Sequence, residues 1–202
     1  MLDGRSVDAH SPQHSPPQIE TTRLILRQLT LQDADQLLRH FSDPEMLRYV
    51  TFEPLEQREE VQEVIQWGMD LFARGAGALW GIVDKETATL IGTLNYVKKE
   101  GHRAEITYDL ATTYWGRGLM TEAIRSTLPY VFGDLGVQRV ETMVHVQNLR
   151  SARVLLKLGF RMEGVLRQYT RFHGQLSDVQ MFSLLKADWQ AARGGSGSGT
   201  RT

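Results

Sequence analysis

Residues 104–123 read AEITYDLATTYWGRGLMTEA, and this stretch decides the kind of fold. Ala104 to Leu110 alternate apolar and polar side chains, as a strand does. Gly116, Arg117 and Gly118 make a turn, after which Leu119, Ala123, Ile124 and Val131 recur at helical spacing. In a strand, Gly-rich turn and helix unit, unpaired backbone N–H groups at the helix start converge on an anion, commonly a phosphate. Gly116 and Gly118 remove side chains that would block close approach, and Arg117 adds positive charge. No Gly-Lys-Ser/Thr closes the turn, and Thr121 stands where a dinucleotide fingerprint has its third glycine. Taken alone, the segment reads equally well as a plain tight turn.

Outward from this unit, strands and helices interleave. Upstream, Thr22 to Gln28 reads as a strand, and Thr30 as the N-cap of a helix with Leu37, Leu38 and Phe41 on one face. A second helix is expected from about Pro54 to Ala73, with the proline near its start. Strands follow at Leu79 to Val83 and Leu90 to Val97, joined by the hairpin-like DKETAT. Downstream, Pro129 lies inside the expected helix and is expected to bend it. Arg139 to Val146 is a strand, and Ser151 to Leu158 a short helix ended by Gly159. Phe160 to Arg167 and Val179 to Leu185 complete the set. Interleaving with hairpins predicts an α/β chain with a mixed sheet flanked by helices.

Both ends have little to bury. Residues 1–18 hold three prolines, and GGSGSGTRT closes the chain, so 1–18 and 191–202 are expected to be unstructured tails around a domain at 19–190. The chain has 202 residues and a net charge of −1, which gives no global pull toward nucleic acid or anionic lipid. Without cysteine there is neither a disulfide nor a thiol nucleophile. The six histidines are scattered and lack metal-binding spacing, so no metal is expected. No apolar run approaches a membrane span, and a soluble cytoplasmic protein, monomer or homodimer, is expected.

Several segments occur together and in order: ETTRLILR, SDPEM, LIGTLNYV, AEITYDL, YWGRGLMTEA, VHVQNLRSARVLLKLGF, MEGVLR and SDVQMFSLL. On these, the chain from about Ile19 to Trp189 resembles the GNAT N-acetyltransferases, in the branch of ribosomal-protein N-terminal acetyltransferases (RimJ/RimL-like). The resemblance implies a mostly antiparallel central sheet and acetyl-CoA as co-substrate. It also implies that the backbone amides of Gly116, Arg117, Gly118, Leu119, Met120 and Thr121 cradle the CoA pyrophosphate. The wider superfamily pattern is Arg/Gln-x-x-Gly-x-Gly/Ala; here Trp115 and Met120 stand at its ends, and Met120 is bulkier than the pattern and would crowd the phosphate.

Acetyl transfer from a thioester to an amine needs a neutral amine, N–H donors for the tetrahedral oxyanion, and a partner for the departing thiolate. The strand ending at Leu110 offers main-chain donors near Leu110 and Ala111. Glu105, Thr107 and Asp109 share one face by alternation, and Glu105 is the candidate base, directly or through water; a solvated strand glutamate is its plain alternative. Asn148 and Ser151 are good N-cap residues. The resemblance adds that Asn148 bonds the pantetheine arm and Ser151 sits by the sulfur, a helical tyrosine acid of many relatives being replaced by Leu155. It also implies that Tyr49, Phe52 and the segment Tyr169 to Phe172 line the acceptor pocket, with Thr170 where the branch places a proposed carboxylate base. His145 reads as structural. The acceptor is a primary amine, preferably the α-amine of a peptide or protein N-terminus. Polyamines, aminoglycosides, amino-acid analogues or a non-catalytic CoA-binding role are the alternatives.

Overall fold

A computed structural model describes residues 15–194; the remainder of both expected tails lies outside the described residues. Eight strands form one sheet. In chain order they are β1 (Ile19–Glu20), β2 (Leu24–Arg27), β3 (Gly77–Asp84), β4 (Thr89–Lys98), β5 (Arg103–Leu110), β6 (Arg139–His145), β7 (Arg161–Phe172) and β8 (Gln175–Leu185). Their spatial order is β1-β2-β3-β4-β5-β6-β8-β7. Every neighbouring pair is antiparallel except β5 and β6, which run parallel.

The sheet is buried on two faces by two cores. β3 is buried at every residue, so it reads as a continuous apolar run and occupies the interior of the sheet. Alternation sends its Trp80 and Ile82 into a core with Tyr96, Ile106, Ile124, Phe132 and Phe182. Leu79 and Val83 enter the other core, with Leu29, Leu37, Phe41 and Ile65. The first core lies under α4 (Leu119–Phe132) and α5 (Leu149–Lys157), the second under α1 (Ala34–Phe41) and α3 (Arg58–Ala73). Ordered structure reaches upstream of residue 19: Pro16 is buried, and the Trp80 indole donates to the Pro17 carbonyl at 2.9 Å.

Local hydrogen bonding moves several boundaries. Thr30 opens a 3-10 turn at Leu31–Asp33, closed by Asp33 before α1 begins. α3 starts after Pro54, at Arg58, because the Glu60 carboxylate accepts the N–H groups of Glu56 and Gln57. A one-turn α2 (Pro44–Leu47), capped by Asp43, has no counterpart in the sequence reading. α5 begins two residues before Ser151, since Asn148 is its N-cap. α6 (Lys186–Gly194) continues from β8 into the stretch expected as a tail, its Trp189 ring 5.1 Å from that of Phe132. β7 extends past Arg167 to Phe172. Its outer half is exposed and so carries little apolar alternation; hairpin pairing of Thr170 with Ser177 holds it instead.

An ion cluster joins β5, β6 and β7. Arg139 donates to both oxygens of Glu163 at 2.8 and 2.6 Å and to Glu141 at 2.6 Å, while Arg103 donates to Glu141 at 2.9 Å. The Arg139 bonds, then that from Ser183 at 2.6 Å, hold the Glu163 carboxyl at about 2. Its folded pKa is depressed, so its contribution is present above the ordinary carboxylate range and is lost as pH falls toward 2. The Glu163 side chain is 42% exposed, and solvent screening keeps this contribution within about 1 kcal/mol. Glu163→Gln is therefore expected to melt roughly 2–4 °C lower at neutral pH, the deficit closing as pH falls from about 5 to about 2 in thermal scans.

Candidate active site

The parallel pair β5 and β6 is joined over three residue pairs only, Arg103–Glu105 against Arg139–Glu141. Beyond Glu105 the two strands part. β5 meanwhile stays paired with β4 as far as Leu110. Backbone groups alternate between the two sides of a strand, and the side facing β4 belongs to odd-numbered residues. Ala111 N–H accordingly donates to Ile91 O at 2.7 Å. The N–H groups of Tyr108 and Leu110 face the gap that β6 has left. The Ala111 N–H, expected as a donor beside Leu110, is thus taken within the sheet. The Trp115 indole donates to Leu110 O at 2.7 Å and ties the strand end to the turn that follows.

That turn is open toward the gap. Gly116 and Gly118 have φ of +76° and +77°, which L side chains rarely adopt. A Cβ on Gly116 would meet nothing within 4 Å, and one on Gly118 only Arg23 Nη2 at 3.8 Å. Gly118 is the N-cap of α4 and offers no side chain, and the first helical bond is Glu122 N–H to Gly118 O. The N–H groups of Leu119, Met120 and Thr121 are left without helical partners, the arrangement that takes an anion. The Met120 side chain is 6% exposed and enters the core below α4, so its bulk points away from the turn. Arg117 lies over the Tyr114 ring at 5.2 Å and Arg150 over the Trp115 ring at 4.4 Å, which keeps two cations at the cradle. Arg23 braces the loop from β2: it donates to Arg117 O at 2.9 Å and pairs with Glu122 at 2.6 Å. Burial works to raise the Glu122 carboxyl, but hydrogen bonds from Thr21 and Arg23 outweigh it and hold the group below its usual range.

The opposite wall is the start of α5. Asn148 Oδ1 accepts the Ser151 N–H at 3.2 Å, so Asn148 is a cap, and its amide N–H groups are spare donors. Ser151 Oγ lies 2.7 Å from the Tyr108 hydroxyl. Leu155 is fully buried in the core and supplies no polar group.

A cavity of about 1260 Å³ runs from the Gly116–Thr121 turn through the gap to the other face of the sheet. Glu105, Thr107 and Asp109 line that face together, as alternation predicts. Glu105 Oε2 is 2.9 Å from Lys99 Nζ. Asp109 accepts the Thr93 N–H at 2.9 Å and the Thr93 hydroxyl, and its Oδ1 is 2.5 Å from His40 Nε2. A Cβ at Gly92 would sit 2.2 Å from Asp109 O, so only glycine lets β4 meet β5 there. His40 has no motif in the sequence around it; α1 brings it across the fold. At the far end the His145 ring is 5.2 Å from Tyr49 and 4.7 Å from Phe172, forming an aromatic wall. Burial holds the His145 imidazole below its usual pKa, and its Nδ1 accepts the Gln147 N–H at 3.2 Å. His145, expected as structural, thus lines the cavity with Tyr49, Phe52, Thr170 and Phe172. Tyr169 does not: alternation along β7 turns it to the opposite face, where it is 55% exposed.

The family model described as Acetyltransferase (GNAT) domain matches residues 23–161. The chain belongs to the GNAT acetyltransferases. It is 40% identical over 171 residues to the uncharacterized N-acetyltransferase p20 of Bacillus licheniformis, covering 84% of this chain and 96% of that protein. Identity to the ribosomal protein uS5-alanine N-acetyltransferase of Escherichia coli (strain K12) is 26% over 189 residues, covering 87% and 94%. The fold matches Mycobacterium smegmatis RimJ in complex with CoA-disulfide at a TM-score of 0.78 and 19% identity, over 90% of this chain and 96% of that one. As a GNAT acetyltransferase the protein is an acetyl-CoA-dependent N-acetyltransferase. The residues present suit that donor: orphan N–H groups, open space before two glycines and two cations meet a pyrophosphate's needs. Among the described residues no group of three or more His, Asp or Glu is arranged to hold a metal ion, and no helix is long and apolar enough to cross a membrane.

Gly118→Val is expected to weaken acetyl-CoA binding at least about tenfold in calorimetry, because a branched side chain would stand where the anion approaches a φ of +77°. Gly101, at φ +61° with nothing within 4 Å in the β4–β5 turn, is the control for backbone strain. Gly101→Val should melt earlier to a similar degree while keeping affinity.

Proposed function

We propose that the protein acetylates α-amines of peptides or protein N-termini, by direct attack of the neutral amine on the thioester. One observation carries this reading. The carboxylates lining the cavity are Glu45, Glu105 and Asp109, and each already faces a partner. Glu45 lies between Arg48 at 3.5 Å and Arg150 at 3.8 Å, Glu105 is paired with Lys99, and Asp109 is held by Thr93 and His40. Thr170, also in the lining, supplies no further base. An amine that reacts here must do so from the fraction that arrives unprotonated. An α-amine, with a pKa of about 7.7–8.0, is roughly one-tenth neutral at pH 7, whereas a lysine side chain at about 10.4 is under ~0.1% neutral. The gap is on the order of 3–4 kcal/mol of proton removal. The relative named for alanine N-acetylation of ribosomal protein uS5 supports the same acceptor class.

In this reading the Gly116 to Thr121 amides and Arg117 hold the pyrophosphate, and Asn148 donates to the pantetheine arm. Leu110 N–H serves the oxyanion, and Ser151 faces the departing sulfur. Tyr49, Phe52, His145 and Phe172 border the entering amine. The amine lone pair forms the C–N bond, the C–S pair leaves with sulfur, and the amine proton passes through water to Glu105. Lys99 Nζ pairs with Oε2 of that carboxylate at 2.9 Å, and in this reading Oε1 is the oxygen that meets the water.

Mass spectrometry on an acceptor panel tests the assignment. Peptides with free N-termini are expected to be acetylated faster at pH 7 than blocked peptides carrying lysine, polyamines or aminoglycosides. Glu105→Gln is expected to cost roughly 10–1000-fold in rate, nearer the low end, and to regain much of it at higher pH. Preference for lysine side chains, or an unaltered pH–rate profile in Glu105→Gln, would count against the reading.

A further inference from the structure

Tyr108 is a residue the reaction as described leaves unused. It lies on the face of β5 opposite Glu105, Thr107 and Asp109, and its side chain crosses the gap to α5. Its hydroxyl has two contacts, both on Ser151: Oγ at 2.7 Å and the carbonyl at 3.4 Å. Both residues line the cavity beneath the start of α5.

The two distances favour one direction for the hydrogen bond. If Ser151 donated to Tyr108, the phenol proton would be left with the carbonyl at 3.4 Å, beyond the usual range for O–H donors. If Tyr108 donates to Ser151 Oγ, the 2.7 Å contact is a full bond and the serine proton is free to turn into the cavity. Burial pushes the Tyr108 phenol well above its ordinary range, so it remains a donor across the working pH range.

We propose that Tyr108 is a positioning residue: by donating to Ser151 Oγ it aims the serine proton at the sulfur that departs from the acetyl group. This rests on the reading that Ser151 meets the leaving thiolate. The pair acts by hydrogen bonding, without proton relay. A thiol has a pKa of about 8.5, far below that of an aliphatic hydroxyl or of this phenol, so moving a proton from either oxygen to sulfur is uphill. As the C–S bond breaks, its electron pair stays on sulfur and the Ser151 O–H donates to it. The thiolate then takes its proton from water, and the proton lost by the amine restores the balance, giving amide and free CoA thiol.

A double-mutant cycle in single-turnover kinetics is the test, with melting temperatures for each variant. Tyr108→Phe removes one oxygen and keeps the ring. It is expected to slow acetyl transfer roughly 3–10-fold, with the KM for acetyl-CoA changed less than about twofold. Ser151→Ala should slow transfer by at least as much. Adding Tyr108→Phe to Ser151→Ala should cause no further loss, since the hydroxyl it positions is gone. Equal slowing by Tyr108→Phe in both backgrounds would overturn the proposal, because Tyr108 would then act on its own. A lower melting temperature with an unchanged transfer rate in Tyr108→Phe would overturn it too, leaving the Ser151 role intact if Ser151→Ala is slow. No loss in either variant overturns both readings.

Discussion

The structure depends on a pairing that stops early. β5 and β6 share three residue pairs and then separate, although β5 continues along β4 and β6 continues along β8. A sheet interior with unpaired N–H groups is costly, and proteins seldom leave such a gap unless something else fills it. Here the gap has a parity. The β4 ladder uses the odd-numbered backbone groups of β5, which frees Tyr108 and Leu110 and withholds Ala111. A ligand laid in the gap would stand in for the missing strand. The turn after Leu110 then carries α4 away with its first N–H groups pointing back at the same opening.

Charge is distributed unevenly about this opening. On the turn side, Arg117 rests on Tyr114 and Arg150 on Trp115, which holds both guanidinium groups near the cradle, Arg150 also facing Glu45 at 3.8 Å. Glu122, the one acidic residue in the first turn of α4, is turned away into Arg23 and Thr21. Across the sheet the carboxylates are already engaged by cations, by His40 or by backbone. One mouth therefore attracts a polyanion, while the other offers an incoming amine polar contacts with little net negative charge. Salt screens such exposed cations, so attraction at the first mouth weakens with ionic strength.

The far mouth is built from three separate elements. Tyr49 follows α2, His145 ends β6, and Phe172 ends β7, and their rings meet within 5.2 Å. Burial holds the His145 imidazole below its usual pKa, which favours the neutral ring in this aromatic wall. The bond from His40 to Asp109 ties α1, just upstream of Tyr49, to the end of β5. The acceptor-side loop and the strand bearing Leu110 are thus mechanically joined through one half-buried pair.

Local physics was enough to read much of this from the chain. Alternation at Ala104–Leu110, the Gly-rich turn at 116–118 and helical spacing from Leu119 are short-range patterns, and each element formed where they predicted. The order of segments marked the family, and residue type made Asn148 and Ser151 both candidate caps, of which the structure uses Asn148. Other features were decided only when distant segments met. Nothing near Ala111 in sequence shows that its N–H is taken by Ile91, because that depends on β4 register. Tyr169 and Phe172 looked alike until pairing with β8 set which face of β7 each occupies. His40 against Asp109, Lys99 against Glu105 and Tyr108 against Ser151 are side-chain meetings across turns or between elements far apart. A local pattern specifies the conformation of its own segment; which groups then touch is fixed by the register and packing of the whole sheet.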